Sequence, residues 1–511
     1  MTYLFKCGII FAYFVNGGKI MKILALTLYF VAMMSIGVYF FVKSKSANGE
    51  KEYFLGGRSM GPWVTAMSAQ ASDMSGWLLM GLPGSILAAG LGKVWIAVGL
   101  AIGTALNWII LAKRLRKFSK AANDSITLPQ YLSNRFATTN PALKIICAVV
   151  FLISFTIYVA SAFKAGQGVF ANVLPGVDPQ AALLIFAAIV LVYTFLGGFK
   201  AVCWTDFFQG LLMLVALLAV PIIIRFTQNL DPASLNVLYN GSGFNTNPFA
   251  APPSEIISGL VWGLGYFGMP HILVRFMSIE KPSMIKKSAT VSIVWVILTL
   301  GAAAFIATYG RMMVGMGTLE VASQELVFIA IVNKFFPAFI AGLLLSAIIA
   351  ASMSTADSQL LVASSSFTSD IYKPVLKKNA SEKELLWVGR LVVVIISVIA
   401  YFMVASGKCG TIMDMVENAW GLFGAAFGPV VILSLFWKRF TYAGAVAGIV
   451  AGAVVDIVWL IWIKASTGIY EILPGFVAGL VVAIIVTLIS KKPSQEVVAI
   501  YEKATDNSID D

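Results

Sequence analysis

The stretch TAMSAQASDMSGWLLMGLPG, residues 65–84, decides how the rest of the chain is read. Its flanks are strongly apolar and the run is long enough to cross a bilayer, yet its middle carries Ser72, Asp73, Ser75 and Gly76 around Met74. A carboxylate at the centre of a membrane costs about 3 kcal/mol or more, so it is seldom kept without a partner or a task. The neighbouring Ser and Gly residues weaken a helix, and a helix that opens there frees backbone carbonyls to act as ligands. Asp73 can be an ordinary loop residue, a structural charge paired with a buried Lys or Arg, or part of an ion site on a broken helix. The stretch by itself leaves all three open.

Composition sets the class. Of 511 residues, 59% are hydrophobic and 12% charged, and the mean hydropathy is +0.88. A soluble domain cannot hide that much apolar surface, whereas bilayer spans require it. The formal net charge of +12 would suit a nucleic-acid binder, but the basic residues sit in short loops between apolar runs. That is the signature of membrane topology, and no nucleic-acid partner is expected. Cys7, Cys147, Cys203 and Cys409 are scattered without a CxxC, and His271 is the sole histidine. A disulfide framework, a transition-metal site and an organic cofactor are therefore not expected. No catalytic constellation argues for an enzyme, and the short tail leaves no room for a signalling domain.

Length and apolarity give about thirteen spans: 23–42, 62–87, 94–112, 143–170, 181–196, 207–224, 256–276, 291–309, 328–353, 385–404, 415–436, 443–463 and 470–489. They form one transmembrane domain over 21–490, followed by a short charged tail, 491–511. Residues 1–20 form an odd extension whose apolar core, 7–15, is too short to span; translation is expected to start at Met21, and the intact mass of the mature chain tests this. Alternate loops carry Lys43, Lys45, Lys51 and Arg58; then Lys113, Arg114, Arg116, Lys117, Lys120 and Arg135; later Arg275, Lys281, Lys286 and Lys287; and finally Lys491 and Lys492. The intervening loops hold little beyond Lys93, Arg225, Arg311, Lys408 and Lys464. This partition predicts a multi-pass cell-membrane protein with its N-terminus outside and its C-terminus in the cytoplasm.

Two further stretches stand out. GLVWGLGYFGMPHILVR, residues 259–275, is a span interrupted by four glycines and Pro270. A Gly/Pro-interrupted span in each half of a transporter is the best sequence pointer to its substrate site. If the second span opens one five-helix repeat, the seventh opens another of opposite orientation. Trp262, Tyr266 and Pro270 then fall at i, i+4 and i+8, either a packing face or an apolar wall for a small organic substrate. His271 reads as a structural hydrogen-bonding residue, because it has no acidic neighbour to relay a proton. AASMSTADSQ, residues 350–359, brings Ser352, Ser354, Thr355, Asp357 and Ser358 together at the expected end of the ninth span. These are either helix-end caps or oxygen ligands for a small hard cation. Asp357 is expected near the interface, open to water.

Taken together, these residues resemble the sodium:solute symporter family, most closely its proline-carrying bacterial branch. The likeness is carried by EYFLGGRSMGPWVTAMSAQASDMSGWLLMGLPG at 52–84, FTIYVASAFKAG at 155–166 and YTFLGGFKAVCWTDFFQ at 193–209. It continues in WGLGYFGMPHILVRFM at 262–277, LLLSAIIAASMSTADSQLLV at 343–362, WGLFGAAFGPV at 420–430, KRFTYAGAVAG at 438–448 and YEILPGF at 470–476. The resemblance implies an all-α, leucine-transporter-type core of two inverted five-helix repeats, with extra N- and C-terminal helices. It implies sodium held by the carbonyls of Ala71, Met74 and Ala351 and the hydroxyls of Ser354 and Thr355. Asp73, Ser75 and Gly76 match positions that couple ion and substrate; Tyr158, Trp262, Tyr266 and Pro270 match the substrate region; Arg58 and Asp206 match gate or structural contacts. The expected activity is sodium-coupled uptake of L-proline by alternating access, with pantothenate, a sugar or another amino acid as alternative solutes. Sodium, L-proline and the lipid bilayer are the expected partners, with no obligatory protein partner.

Overall fold

A computed structural model describes residues 2–44, 50–174, 176–196 and 198–506. Ten described helices are long and apolar enough to cross a membrane. The bent pair Pro253–Phe267 and Pro270–Ser278, the interrupted second span and Pro179–Leu196 complete about thirteen. Among the described residues the backbone pairs as strands nowhere beyond three isolated bridges.

In chain order the spans are Thr2–Ser44; Pro62–Asp73 with Leu82–Ala89; Leu91–Ala121; Ala142–Val173; Pro179–Leu196; and Phe199–Thr227. The seventh is the bent pair, followed by Ile285–Gly315, Ala338–Ser366, Glu382–Ala405, Ile412–Phe436, Tyr442–Thr467 and Ile472–Ile489. A short helix, Gln495–Thr505, closes the chain. Burial sorts centre from rim: the best apolar windows of the eleventh and ninth spans are 83% and 78% buried, those of the twelfth and first only 28% and 22%. The polar clusters of the second, seventh and ninth spans therefore sit around the middle of the bundle.

Three boundaries differ from the sequence reading by ten residues or more. The first helix starts at Thr2, well before Ile23, because Gly17 and Gly18 do not break it. Val327–Phe335 is a separate short helix, since Phe336 ahead of Pro337 turns extended, and the ninth span begins at Ala338. That span then runs on through Leu376 in wider turns. The cluster at 350–359 thus lies mid-helix. Hydroxyls along this span do not stop it: before and after the cluster Ser346 turns back onto the Gly342 carbonyl and Thr368 onto that of Ser364, and within it Ser354 reaches back to the Ala351 carbonyl. Asp357 is accordingly fully buried and not solvated, and neither carboxylate oxygen has a hydrogen-bond partner among the described residues.

Candidate functional site

The second span opens where its sequence is weakest. Helical geometry ends at Asp73; Met74 turns to φ −83°, ψ 76°, and the chain resumes a helical path at Trp77. Only glycine fits at position 76: a Cβ there would lie 2.4 Å from the Ala165 Cβ and 3.1 Å from the Ser352 Oγ. The break is thereby pressed between the fourth and ninth spans.

Directly opposite, the ninth span presents its hydroxyls. Ser354 donates to the Ala71 carbonyl at 2.8 Å, with the Ala351 carbonyl at 3.2 Å as its other acceptor. Thr355 donates to the same Ala71 oxygen at 3.5 Å. Four of the five oxygens expected around an ion are therefore gathered at one point, and the fifth residue, Met74, forms the break itself. Neutral oxygens at such spacings suit a hard cation whose bonds are about 2.3–2.6 Å long. Among the described residues no three His, Cys, Asp or Glu side chains gather as a transition-metal site would require.

Asp73 sits between this cluster and the seventh span. Its Oδ2 accepts a 2.6 Å hydrogen bond from the Tyr266 hydroxyl, and its Oδ1 has no partner among the described residues. Its backbone carbonyl accepts from the Tyr158 hydroxyl and from the Trp77 indole, both at 3.3 Å. Of the three readings left open by the sequence, the loop residue falls away because Asp73 is completely buried. Among the described residues it also forms no ion pair with a Lys or Arg; that role belongs to Asp206. Ser75 lies in the break, its amide on the Asp73 carbonyl at 3.0 Å.

The seventh span does not present Trp262, Tyr266 and Pro270 on one α-helical face. Trp262–Phe267 winds as a tighter 3-10 helix, and the span bends by 45° before Pro270 opens its second half. Three residues per turn separate Trp262 from Tyr266 by about a third of a revolution. Tyr266 turns to Asp73, while Trp262 meets two aromatic residues that the sequence reading left out. The Trp420 indole donates to the Trp262 carbonyl at 2.8 Å, and the Trp262 and Tyr470 rings lie 5.0 Å apart. Trp420 also stands edge-on to Tyr266 at 5.0 Å. Trp262 and Tyr470 line a cavity of about 520 Å³ together with Lys93, Glu325 and Lys464. Lys464 pairs with Glu417 of the eleventh span and with Glu471, which caps the start of the thirteenth, each at 2.9 Å.

Beyond the break, toward the opposite end, Arg275 pairs with Asp206 at 3.2 Å, both buried. Ser68 bridges them, donating to Asp206 at 2.7 Å and accepting from Arg275 at 3.1 Å, and Arg275 also reaches Ser358. A lone Arg ending an apolar span and a lone Asp in the sixth were the signal for this pair. His271 does not make the hydrogen bonds expected of it: neither ring nitrogen has a partner among the described residues, and the ring stands 5.9 Å from Phe155 and 6.4 Å from Tyr158. At the end of the molecule, Arg58 donates to Asp124 at 2.8 Å, Ser119 at 3.1 Å and the Ser125 carbonyl at 2.8 Å, and also reaches the Met277 carbonyl. It ties the approach to the second span to the third and seventh and closes that end.

The chain is similar to known proteins over almost its whole length. It is 41% identical over 501 residues to a sodium/proline symporter of Haemophilus influenzae, covering 94% of this chain and 97% of that one. A Staphylococcus aureus sodium/proline symporter is also 41% identical, covering 94% and 95%. Among solved structures, the substrate-bound, outward-open state of a Na+-coupled sialic acid symporter superimposes with a TM-score of 0.73 at 20% identity, over 93% of this chain and 98% of that one. A nucleobase-cation-symport-1 family transporter in a closed conformation gives 0.53 at 14%, over 88% and 98%. The helix order is that of the leucine-transporter-type fold. The sodium:solute symporter family model matches residues 53–452, and with the two broken spans facing one polar cluster, the chain belongs to that family.

Proposed function

We propose that this protein couples inward sodium movement to uptake of L-proline across the cell membrane. The observation that carries the reading is the opening at Met74, with Ala71 on one side of the ion cluster and Asp73 hydrogen-bonded to Tyr266 on the other. In this reading Na+ enters among the carbonyls of Ala71, Met74 and Ala351 and the hydroxyls of Ser354 and Thr355. Their hydroxyl hydrogens turn away and their lone pairs face the ion. The ion then fixes the break, and Asp73 carries that order to Tyr266 and the substrate wall. Ser75 and Gly76 set the path of the break; Tyr158, Trp262, Tyr266 and Pro270 enclose the ring of the substrate. The helix end beyond Gly76 offers amides to its carboxylate. Sodium raises proline affinity, and proline raises sodium affinity by the same factor. Membrane potential adds about 2.3 kcal/mol per charge per 100 mV.

In the membrane, the end closed by Arg58 faces the cytoplasm and the cavity above Trp262 faces outward, because the Lys- and Arg-rich loops gather at the Arg58 end. Uptake of radiolabelled L-proline into proteoliposomes, with and without an inward sodium gradient, tests the proposal. Accumulation that requires sodium and collapses with a sodium ionophore is expected; sodium-independent uptake, or none, refutes it.

A further inference from the structure

The Arg58 end holds a second cavity, of about 290 Å³, lined by Arg116, Lys117, Lys120, Lys281, Lys503 and a single acidic residue, Glu280. Three separate parts of the chain build it: the far end of the third span, the link after the seventh, and the closing helix Gln495–Thr505. The closing helix is fixed in place. Arg114 donates to the Tyr501 hydroxyl at 3.0 Å, Tyr501 to the Phe436 carbonyl at 3.2 Å, and Arg135 to the Val497 carbonyl at 3.2 Å. Glu502 is engaged by Lys438 at 2.6 Å, while Lys503 next to it lines the cavity.

Basic side chains outnumber acidic ones in this lining, five to one. Arg116 is buried and spends its guanidinium on the carbonyls of Ile279 at 2.7 Å and Glu280 at 3.0 Å, not on a carboxylate. Among the described residues Lys120, Lys281, Lys503 and Glu280 enter no ion pair. Like charges lining one cavity repel unless an anion joins them, and a phosphate meets that need.

Depth identifies the source of that phosphate. The third span is 31 residues long, about 46 Å at 1.5 Å per residue, against a hydrocarbon core of about 30 Å. Lys113 is the first charge met after the apolar run, so the helix leaves the hydrocarbon there. Arg116, Lys117 and Lys120 lie about 5–11 Å further along the axis, the level of lipid headgroups. Just inside, Ile109 and Ile110 are 66% and 47% exposed and face the acyl chains. We propose that this cavity binds the headgroup of an anionic phospholipid, with the acyl chains lying along the third span.

Native mass spectrometry of the full-length protein with added phosphatidylglycerol, phosphatidylcholine or inorganic phosphate tests this. Selective retention of phosphatidylglycerol is expected. Each lysine near an anionic headgroup contributes about fivefold, so the combined Lys120→Gln, Lys281→Gln and Lys503→Gln variant should bind about a hundredfold more weakly. The charge-matched Lys378→Gln, Lys383→Gln and Lys491→Gln variant, altered at exposed lysines elsewhere on the same end, should bind as the parent does. Equal retention by the two triple variants overturns the proposal. So does displacement of the lipid by an equal concentration of inorganic phosphate, which would make the site one for a free anion. A rise in retention on substituting Asp510→Asn and Asp511→Asn would assign the cavity to the chain's own carboxylates instead.

Discussion

Asp73 divides its work between atoms. Among the described residues its carboxylate is held by Tyr266 alone, while its backbone carbonyl takes the weaker contacts from Tyr158 and Trp77. A hydrogen bond to a buried charge is worth about 1.5–3 kcal/mol, and one between neutral groups about 1 kcal/mol. Tyr266→Phe should therefore raise the KM for substrate about ten- to a hundredfold, and Tyr158→Phe less than about tenfold, in uptake assays at saturating sodium. The reverse order would show that the carboxylate does not carry the coupling. Thr355 supplies one of five proposed oxygens. Thr355→Ala should raise the sodium concentration for half-maximal uptake about tenfold or more, about 1.4 kcal/mol, with Thr355→Ser restoring it. A sodium dependence unchanged in the alanine variant would remove Thr355 from the site.

At the scale of helices, the seventh span owes its glycines to its neighbours as much as to its own bend. Gly99 and Gly103 of the third span meet Gly259 and Gly263 of the seventh, backbone against backbone. A Cβ on Gly103 would lie 2.4 Å from the Gly263 Cα, and one on Gly99 2.3 Å from the Gly259 carbonyl oxygen. Both helices carry glycine four positions apart, the spacing that lets membrane helices touch along their backbones. Gly103→Ala should cost about 1–3 kcal/mol by overpacking, seen as a lowered thermal midpoint of the purified protein. Gly301→Ala, with open space around it, should leave that midpoint unchanged or raised. The same crossing explains what the sequence could tell. The break at 74–76 was legible because its cause is local: Ser, Asp and Gly in an apolar run. The 3-10 winding of Trp262–Phe267 was not, since it depends on contacts with the third and eleventh spans, far away in sequence. Trp420 and Tyr470 escaped for the same reason, as nothing beside them marks them as neighbours of Trp262. The mid-helix position of Ser354 and Thr355 was obscured because Ser and Thr cap helix ends as readily as they bond back along a helix.

For the molecule as a whole, closure of one end rests on Arg58 and Asp124. Burial pushes the Asp124 carboxyl up, but Lys51 and Arg58 outweigh it and hold the group below the ordinary carboxylate range. A depressed folded value means that this contribution is complete above the unfolded value of about 3.9 and fades as pH falls through the folded one. Closure should therefore not vary between about pH 5 and 9. Asp124 is 37% exposed, so the effect is screened and moderate. Asp124→Asn should speed thiol labelling of a Ser278→Cys variant from the Arg58 side at neutral pH, and equal labelling rates would exclude Asp124 from the closure. The proposed topology gives a further expectation: a membrane-impermeant maleimide should label Cys409 from outside intact cells, whereas labelling only in inverted vesicles would reverse it. Cys147 and Cys203 are buried and should not compete, and a Cys7→Ser substitution removes the remaining thiol.

The last two spans lie outside the paired repeats, yet they reach back into them. Lys464 holds Glu417 of the eleventh span and Glu471, at the start of the thirteenth, at the same 2.9 Å, and Tyr470 lays its ring over Trp262. A chain ending before Lys464 would keep both broken helices and the whole ion cluster. It would lose the roof above Trp262 and leave Glu417 without its counter-charge. The two repeats are therefore not an autonomous module: an engineer who trims this protein to its symmetrical heart would obtain a vessel without its lid.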